Sequence, residues 1–436
     1  DNPIPNTIID LERWAAGSRL LLRGGADAGF RWALGVDAAL QRDGRRNFEN
    51  LEGTRGPLTL DQDERVTNTA IHARTLLPLG DRVSAFGAVR LDRVVFSAQD
   101  HFVDGDPDDS GSRTMQAVSP AVGLSVDVAG VALYGNVSTS FETPTTTELV
   151  NRPDGAGGFN RELEPQRTVS VELGGRATRG RLGVEGSVYH ARVTDGLVPF
   201  EVATAPGRTY FRNAAVTIHR GLELQGRYTG SASELVAAYS RTLAEFSSYA
   251  TDEQTYDGRT VPGVRPWVLE VRASGRLAGA VVEADYQATG RMPVDDANQV
   301  HAPGYDLVSL RASFPFRTGR FWLRPYAGLD NVLDESHVAS VVPNAFGGRY
   351  FEPGPGRTFF VGLEARLEGN RQGQGRLRSA AAEVSSRRSR RYRCPPAARP
   401  PASPGTTRPS RLSGPGLPYR RDPGRCGSSK AGGPRR

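Results

Sequence analysis

The side chains able to do chemistry in this 436-residue chain are scattered, and their spacing excludes more than it supports. Six histidines, His72, His101, His190, His219, His301 and His337, have no partner at i+3 or i+4, so a zinc-type ligand set is not expected. Serines are plentiful, yet no GxSxG string marks a nucleophile elbow and no other catalytic constellation stands out. We therefore expect no enzymatic activity and no cofactor. Asp104, Asp106 and Asp108 place carboxylates at alternate positions of one acidic loop, an arrangement suited to a hard, oxygen-seeking cation such as calcium. Pro107 and the missing later glutamate set that loop apart from an EF-hand, and a solvated loop is the simpler expectation. For capture of a small molecule, Arg152 and Arg161 could pair with an anionic chelate, and Tyr249, Tyr256 and Phe346 could stack on planar groups. For any one of these five residues, ordinary loop chemistry is the favoured reading.

The elements that must hold these residues are strands. In Phe30-Arg31-Trp32-Ala33-Leu34-Gly35-Val36-Asp37-Ala38, one face carries Phe30, Trp32, Leu34 and Val36, and the other carries Arg31, Gly35 and Asp37. The same alternation recurs in about fifteen segments up to Leu367, whereas helical i, i+3, i+4 stripes are almost absent. No apolar run approaches the roughly 18 residues of a transmembrane helix. A transmembrane barrel is not excluded by that, because its strands alternate lipid-facing and polar residues.

The connections decide between a barrel and a soluble sandwich. Short joins near 24–29, 78–81, 129–130, 177–180, 230–232, 276–279 and 317–319 alternate with long polar loops. The long loops are expected near 41–64, 97–112, 143–165, 194–208, 247–263, 290–303 and 332–355. This parity predicts an all-β, antiparallel up-and-down transmembrane β-barrel, partial at about fifteen strands, with the long loops on the outer side. Aromatic residues near strand ends, Phe96, Phe141 and Phe246 by long loops and Phe321 and Trp322 by a short turn, fit interfacial girdles, with packing in a core as the equal alternative. Pro120, Pro266 and Pro325 fall inside proposed strands and are expected to weaken them locally.

Charge divides the chain at the same boundary. Residues 368–436 hold 17 basic and 3 acidic side chains; of 55 basic and 48 acidic residues in all, 38 and 45 remain in 1–367, a net of −7. The overall +7 thus comes from the tail, and the acidic body calls for no nucleic-acid partner. The tail, rich in Arg, Pro, Gly and Ser, has too little apolar surface to offset its ordering entropy and is expected to be disordered. Both cysteines, Cys394 and Cys426, lie there, so disulfides and thiolate metal sites are excluded from the body. No targeting peptide is legible at Asp1-Asn2-Pro3-Ile4-Pro5, which reads as a processed chain or a fragment.

Ordered strings carry a family resemblance. YGNVSTSFETPTTTEL (134–149), LEPQRTVSVELGGR (163–176) and YFRNAAVTIHRGLELQG (210–226) are followed by PGYDLVSLRASF (303–314), LDNVLDE (329–335) and RYFEPGPGRTFFVGLEARL (349–367). In this order they resemble the C-terminal half of TonB-dependent outer-membrane receptors, which import iron–siderophore complexes and other scarce nutrients. The resemblance implies outer-membrane lipid as surroundings, in a Gram-negative-type bacterium, a small-molecule ligand such as an iron chelate, and a TonB-type energy-coupling partner. It implies about 22 strands around an N-terminal plug, neither of which this sequence supplies in full, so the chain reads as a truncated receptor: barrel portion 1–367, tail 368–436. The family's closing strand normally ends the protein on an aromatic residue; here Leu367 holds that place and 69 residues follow. A passive outer-membrane pore or structural barrel is the alternative, and a soluble module with an irregular β-fold the third reading.

Overall fold

The computed structural model describes residues 2–4, 7–26, 29–102, 108–150, 152, 158–200, 210–251, 254–345 and 348–367. The charged tail from 368 lies outside these residues, so its expected disorder is outside what is described. Strand after strand follows in chain order: β1 (Asn2–Ile4), β2 (Thr7–Gly25), β3 (Arg31–Leu51), β4 (Thr54–Pro78), β5 (Val83–Asp100), β6 (Gly111–Val128) and β7 (Val131–Glu142). A one-turn helix, α1 (Thr146–Val150), precedes β8 (Gln166–Arg179), β9 (Leu182–Phe200), β10 (Tyr210–Thr229), β11 (Ser233–Ser248), β12 (Trp267–Leu277) and β13 (Ala280–Thr289). The remainder comprises β14 (Met292–Pro293), β15 (His301–Ala302), β16 (Tyr305–Ser313), β17 (Phe316–Thr318), β18 (Phe321–Asp330), β19 (Val338–Val341), β20 (Phe351–Pro353) and β21 (Thr358–Leu367).

One antiparallel up-and-down sheet of seventeen strands contains all but the loop ladders β14–β15 and β19–β20. Without the three-residue β1 and β17 it has fifteen long strands, matching the expectation from alternation. Among the described residues no helix is long and apolar enough to cross a membrane.

The two faces of the sheet differ as period-two patterning requires. Leu20, Leu34, Val36, Ile71, Leu91 and Leu173 stand exposed at 48–63% on one face. The opposite face carries Asp37, Asp43, Glu64 and Asp92, all buried or half-buried. Apolar side chains turned outward and charges turned inward invert the order of a soluble core, which is the arrangement a strand needs between lipid and an aqueous interior.

Three short joins are two-residue turns with both residues at positive φ: Glu52-Gly53 (53°, 92°), Ala129-Gly130 (54°, 85°) and Ala278-Gly279 (50°, 85°). This is the twist-matched hairpin geometry, and glycine at the second position meets it without a Cβ penalty. The first of the three corrects the expected loop at 41–64. There, β3 and β4 stay paired up to Leu51↔Thr54, and the hairpin projects past the apolar belt with polar residues on both faces. Two-sided polarity removes the alternation signal but not the backbone ladder. Likewise β9 runs to Phe200, so the expected loop at 194–208 starts later than the sequence indicates.

Prolines fall where ladders stop. Pairing of β6 with β7 begins at Ala121↔Ser138, directly past Pro120, so the outer half of β6 pairs only with β5. Pro325 accepts from the Phe314 N–H but has no N–H to return, and the pairing of β18 breaks there between β16 and β17, while Pro266 precedes the first β12 pair, Arg241↔Trp267.

Candidate functional site

The inner face is a wall of cross-strand ion pairs. Arg13 and Asp43 are register partners, and the guanidinium donates to both carboxylate oxygens at 2.8 and 2.6 Å. Arg19 and Asp37 are partners in the same ladder at 2.7 Å, and Asp37 also accepts from Arg90, which bonds Asp92 in turn. Farther along, Glu172 accepts from the Tyr134 hydroxyl and the Asn136 amide. Odd positions of β2 and β3 place these groups on one face, and bidentate arginine–carboxylate geometry locks them. Gln62, 1% exposed, has neither amide atom hydrogen-bonded within the protein.

Above the wall the inner face turns apolar and is covered by the loop between β7 and β8. Leu149 and Leu163, 0% and 1% exposed, pack with Val94, Phe96 and Met115. The helix start is a capping box: Thr145 Oγ1 accepts from the Glu148 N–H, and Glu148 accepts from the Thr145 N–H. Polar contacts fix the loop across many strands. Arg45 of β3 donates to Thr147, Arg113 of β6 donates to the Arg161 carbonyl and to Glu164, and Glu164 N–H donates to Asn213 of β10. Seven strand spacings separate β3 from β10, about 34 Å in a flat sheet. One short loop bonds both, so the sheet must curve around it with the polar wall inside.

The other outer loops form a second folded assembly. Tyr249, 2% exposed, lies 4.8 Å from Phe246 and stacks on Tyr256 at 5.0 Å. Burial pushes the Tyr249 hydroxyl up, with the charge of Asp296 in the next loop adding to it, and burial raises the Asp296 carboxyl as well. Asn298 donates to the Thr260 carbonyl and accepts from the Thr260 N–H, tying the same two loops. Arg265 donates to the carbonyls of Gly290, Pro303 and Val338 and lies 4.7 Å over the Tyr305 ring. Burial lowers its pKa. A small core of Met292, Val294 and Ala302 with Val338 and Tyr350 joins the last two loops. Asn331 bonds the Glu335 and Pro355 carbonyls, and Asp334 accepts from the Arg357 N–H, so both do the local backbone work of re-entering the sheet.

A family model for the TonB dependent receptor-like β-barrel matches residues 5–332. The chain belongs to this family. Its fold is shared by solved receptors of low identity. The copper transporter OprC is 19% identical with a TM-score of 0.65, over 83% of this chain and 57% of that one. The ferric citrate transporter FecA, unliganded, is 16% identical with a TM-score of 0.65, over 83% and 55%. The ferric yersiniabactin uptake receptor FyuA from Yersinia pestis is 16% identical with a TM-score of 0.64, over 84% and 56%. This TonB-dependent receptor barrel thus spans a little over half the length of those chains.

The candidate ligand residues are dispersed over the two loop assemblies. Tyr249 and Tyr256 are adjacent; Tyr249 is enclosed and Tyr256 half-buried. Arg161 is exposed beside the Arg113 contact in the other assembly, and Arg152 is half-buried in the same loop. Phe346, Asp104 and Asp106 lie outside the described residues. The Asp108 carboxylate accepts from Ser110 N–H at 2.8 Å, and bonds from Ser110 hold it below the usual range. The expected aromatic girdle is corrected at two positions: Phe96 and Phe246, 3% and 5% exposed, point inward and fill the loop cores. Sequence reasoning passed over Arg13, Asp43, Arg90, Asp92 and Arg265. Asp43 fell in the expected loop at 41–64 and only register pairs it with Arg13, while Arg90 reaches across the sheet to Asp37 and along its own strand to Asp92.

Proposed function

We propose that this chain is the wall and outer-loop portion of an outer-membrane receptor that imports a scarce nutrient, a ferric siderophore or a similar metal chelate. The observation that carries the reading is the loop of residues 143–165 docked across β3, β6 and β10 above an arginine–carboxylate wall. The loop lies over a polar interior, a layout suited to selective capture and passage of a charged cargo. The solved relatives are a copper transporter, a ferric citrate transporter and a ferric yersiniabactin uptake receptor, all for metals or metal complexes. In this reading Arg152 and Arg161 pair with anionic groups of the chelate, Tyr256 and Phe346 offer rings to its planar parts, and Tyr249 backs Tyr256 from beneath. Transport is driven through a TonB-type partner, and the surroundings are the lipid of a Gram-negative-type outer membrane.

The test is a fluorescence-quenching titration of the full chain in neutral detergent with ferric citrate, a ferric catecholate and a copper(II) chelate. One of them should saturate, and Arg161→Gln should weaken it about tenfold, the loss of one charge-assisted contact of about 1.5 kcal/mol. If none binds while the protein conducts salt steadily in planar bilayers, the passive-pore reading replaces this one.

A further inference from the structure

Some arginines of the sheet have carboxylate partners, on the inner face and, as Arg46 with Asp10, on the outer one. Inward-facing Arg13, Arg19, Arg45, Arg90 and Arg113 each have a carboxylate partner. On the outward face, Arg167 of β8, Arg192 of β9, Arg220 of β10 and Arg241 of β11 are exposed, and among the described residues none has a carboxylate within ion-pair distance. The nearest outward carboxylate, Glu245 opposite Ile218, pairs with none of them. Register makes the four neighbours. Arg167 faces Thr194, two residues from Arg192; Arg192 faces Ile218, two from Arg220; Arg220 faces Leu243, two from Arg241. Diagonal neighbours of this kind lie roughly 7–8 Å apart, close enough for like charges to repel unless an anion sits between them.

Their height is set by the apolar belt. Outward-facing Leu173, Val171 and Val169 lead to Arg167, and Leu182, Val184 and Val188 lead to Arg192. From Leu182 to Arg192 is about 33 Å along the strand, or roughly 25 Å across the membrane at a tilt near 40°. Arg42 follows Trp32, and Arg93 follows Val83, at the same interval on β3 and β5. That distance is the thickness of the apolar band of a transmembrane barrel, so Arg192 emerges at the outer headgroup level and the register places Arg167, Arg220 and Arg241 beside it.

We infer that Arg167, Arg192, Arg220 and Arg241 form a binding patch for a phosphate-bearing lipid headgroup of the outer leaflet. The patch is continuous with the apolar surface that would receive the acyl chains. Four guanidiniums cross three strand spacings, about 14 Å, enough for a headgroup with two phosphates, each chelated by a pair of planar forks. The inference rests on the membrane-spanning reading of the sheet and on no cargo.

The full chain in neutral detergent, doped with a bisphosphorylated diglucosamine lipid, is examined by native mass spectrometry. We expect retained lipid, loss of retention when the lipid is first dephosphorylated, and retention about tenfold or more weaker in R167Q/R192Q/R220Q/R241Q. Heat-modifiable migration on gels reports that this variant is folded. If it is not, the pairs R167Q/R192Q and R220Q/R241Q are used, each with a partial loss expected. The inference is overturned by undiminished retention in the folded variants, by equal retention of dephosphorylated lipid, by full displacement with millimolar inorganic phosphate, or by an equal loss in R179Q/R181Q at the opposite end of the strands.

Discussion

Tyr249 and Asp296 show how burial governs single residues in the outer loops. The tyrosine ring is held between Phe246 and Tyr256, so Tyr249→Ala should cost about 3 kcal/mol of local stability. Faster amide exchange at Val261, whose N–H donates to the Ala244 carbonyl beside this cluster, would report it. Asp296 carries the pH dependence. Its folded pKa is raised, chiefly by burial, so the folded loops hold a proton that the unfolded chain releases. Their stability is therefore greatest below the ordinary carboxylate pKa near 4 and falls as pH rises through the raised value. In Asp296→Asn this decline should vanish, measured as pH-corrected exchange protection at Asn344, whose N–H donates to Val294.

At the scale of elements, each loop assembly depends on one anchoring device. Arg265 satisfies carbonyls in two loops beyond its own, and no shorter or less planar side chain reaches all three. Arg265→Met should leave them unpaired, cost about 2–3 kcal/mol, and expose residues 290–304 to protease; Arg265→Lys should rescue it only in part. The loop at 143–165 depends instead on apolar contact. Leu163→Asp would place an unpartnered carboxylate at a site 1% exposed among Phe96, Met115 and Leu149. We expect the loop to undock, trypsin to cut at Arg161, and single-channel conductance to rise, while the sheet keeps its heat-modifiable migration.

Across the whole molecule, the ladder between β18 and β21 ends at Leu367, which pairs with Phe321. Deleting residues 370–436 leaves every strand pair of the described sheet in place. The melting temperature in detergent should change by about 1 °C or less, and a large fall would show that the tail is structural. With both tail cysteines replaced, Glu162→Cys and Asp257→Cys in the outer loops should label on intact cells. Labelling only after permeabilisation would reverse the orientation derived from loop parity.

Period-two alternation made the fifteen strands, their apolar belt and the hairpin turns legible because each depends on neighbours along the chain: a strand shows its face every second residue, and Ala129-Gly130 announces its turn by itself. The local change of composition near 367 coincides with the end of β21. The outer hairpin of β3 and β4 was not legible, since residues polar on both faces are held by a ladder with the next strand rather than by burial. Nor were the two meanings of arginine. Arg13 and Arg192 stand in similar alternating strings, yet one meets Asp43 across the ladder and the other meets no carboxylate. Partnership depends on register between strands and on which face is concave, and the curvature is set by contacts between residues as distant as Arg45 and Thr147. Such contacts exist only once the sheet has curved its polar face around the loop.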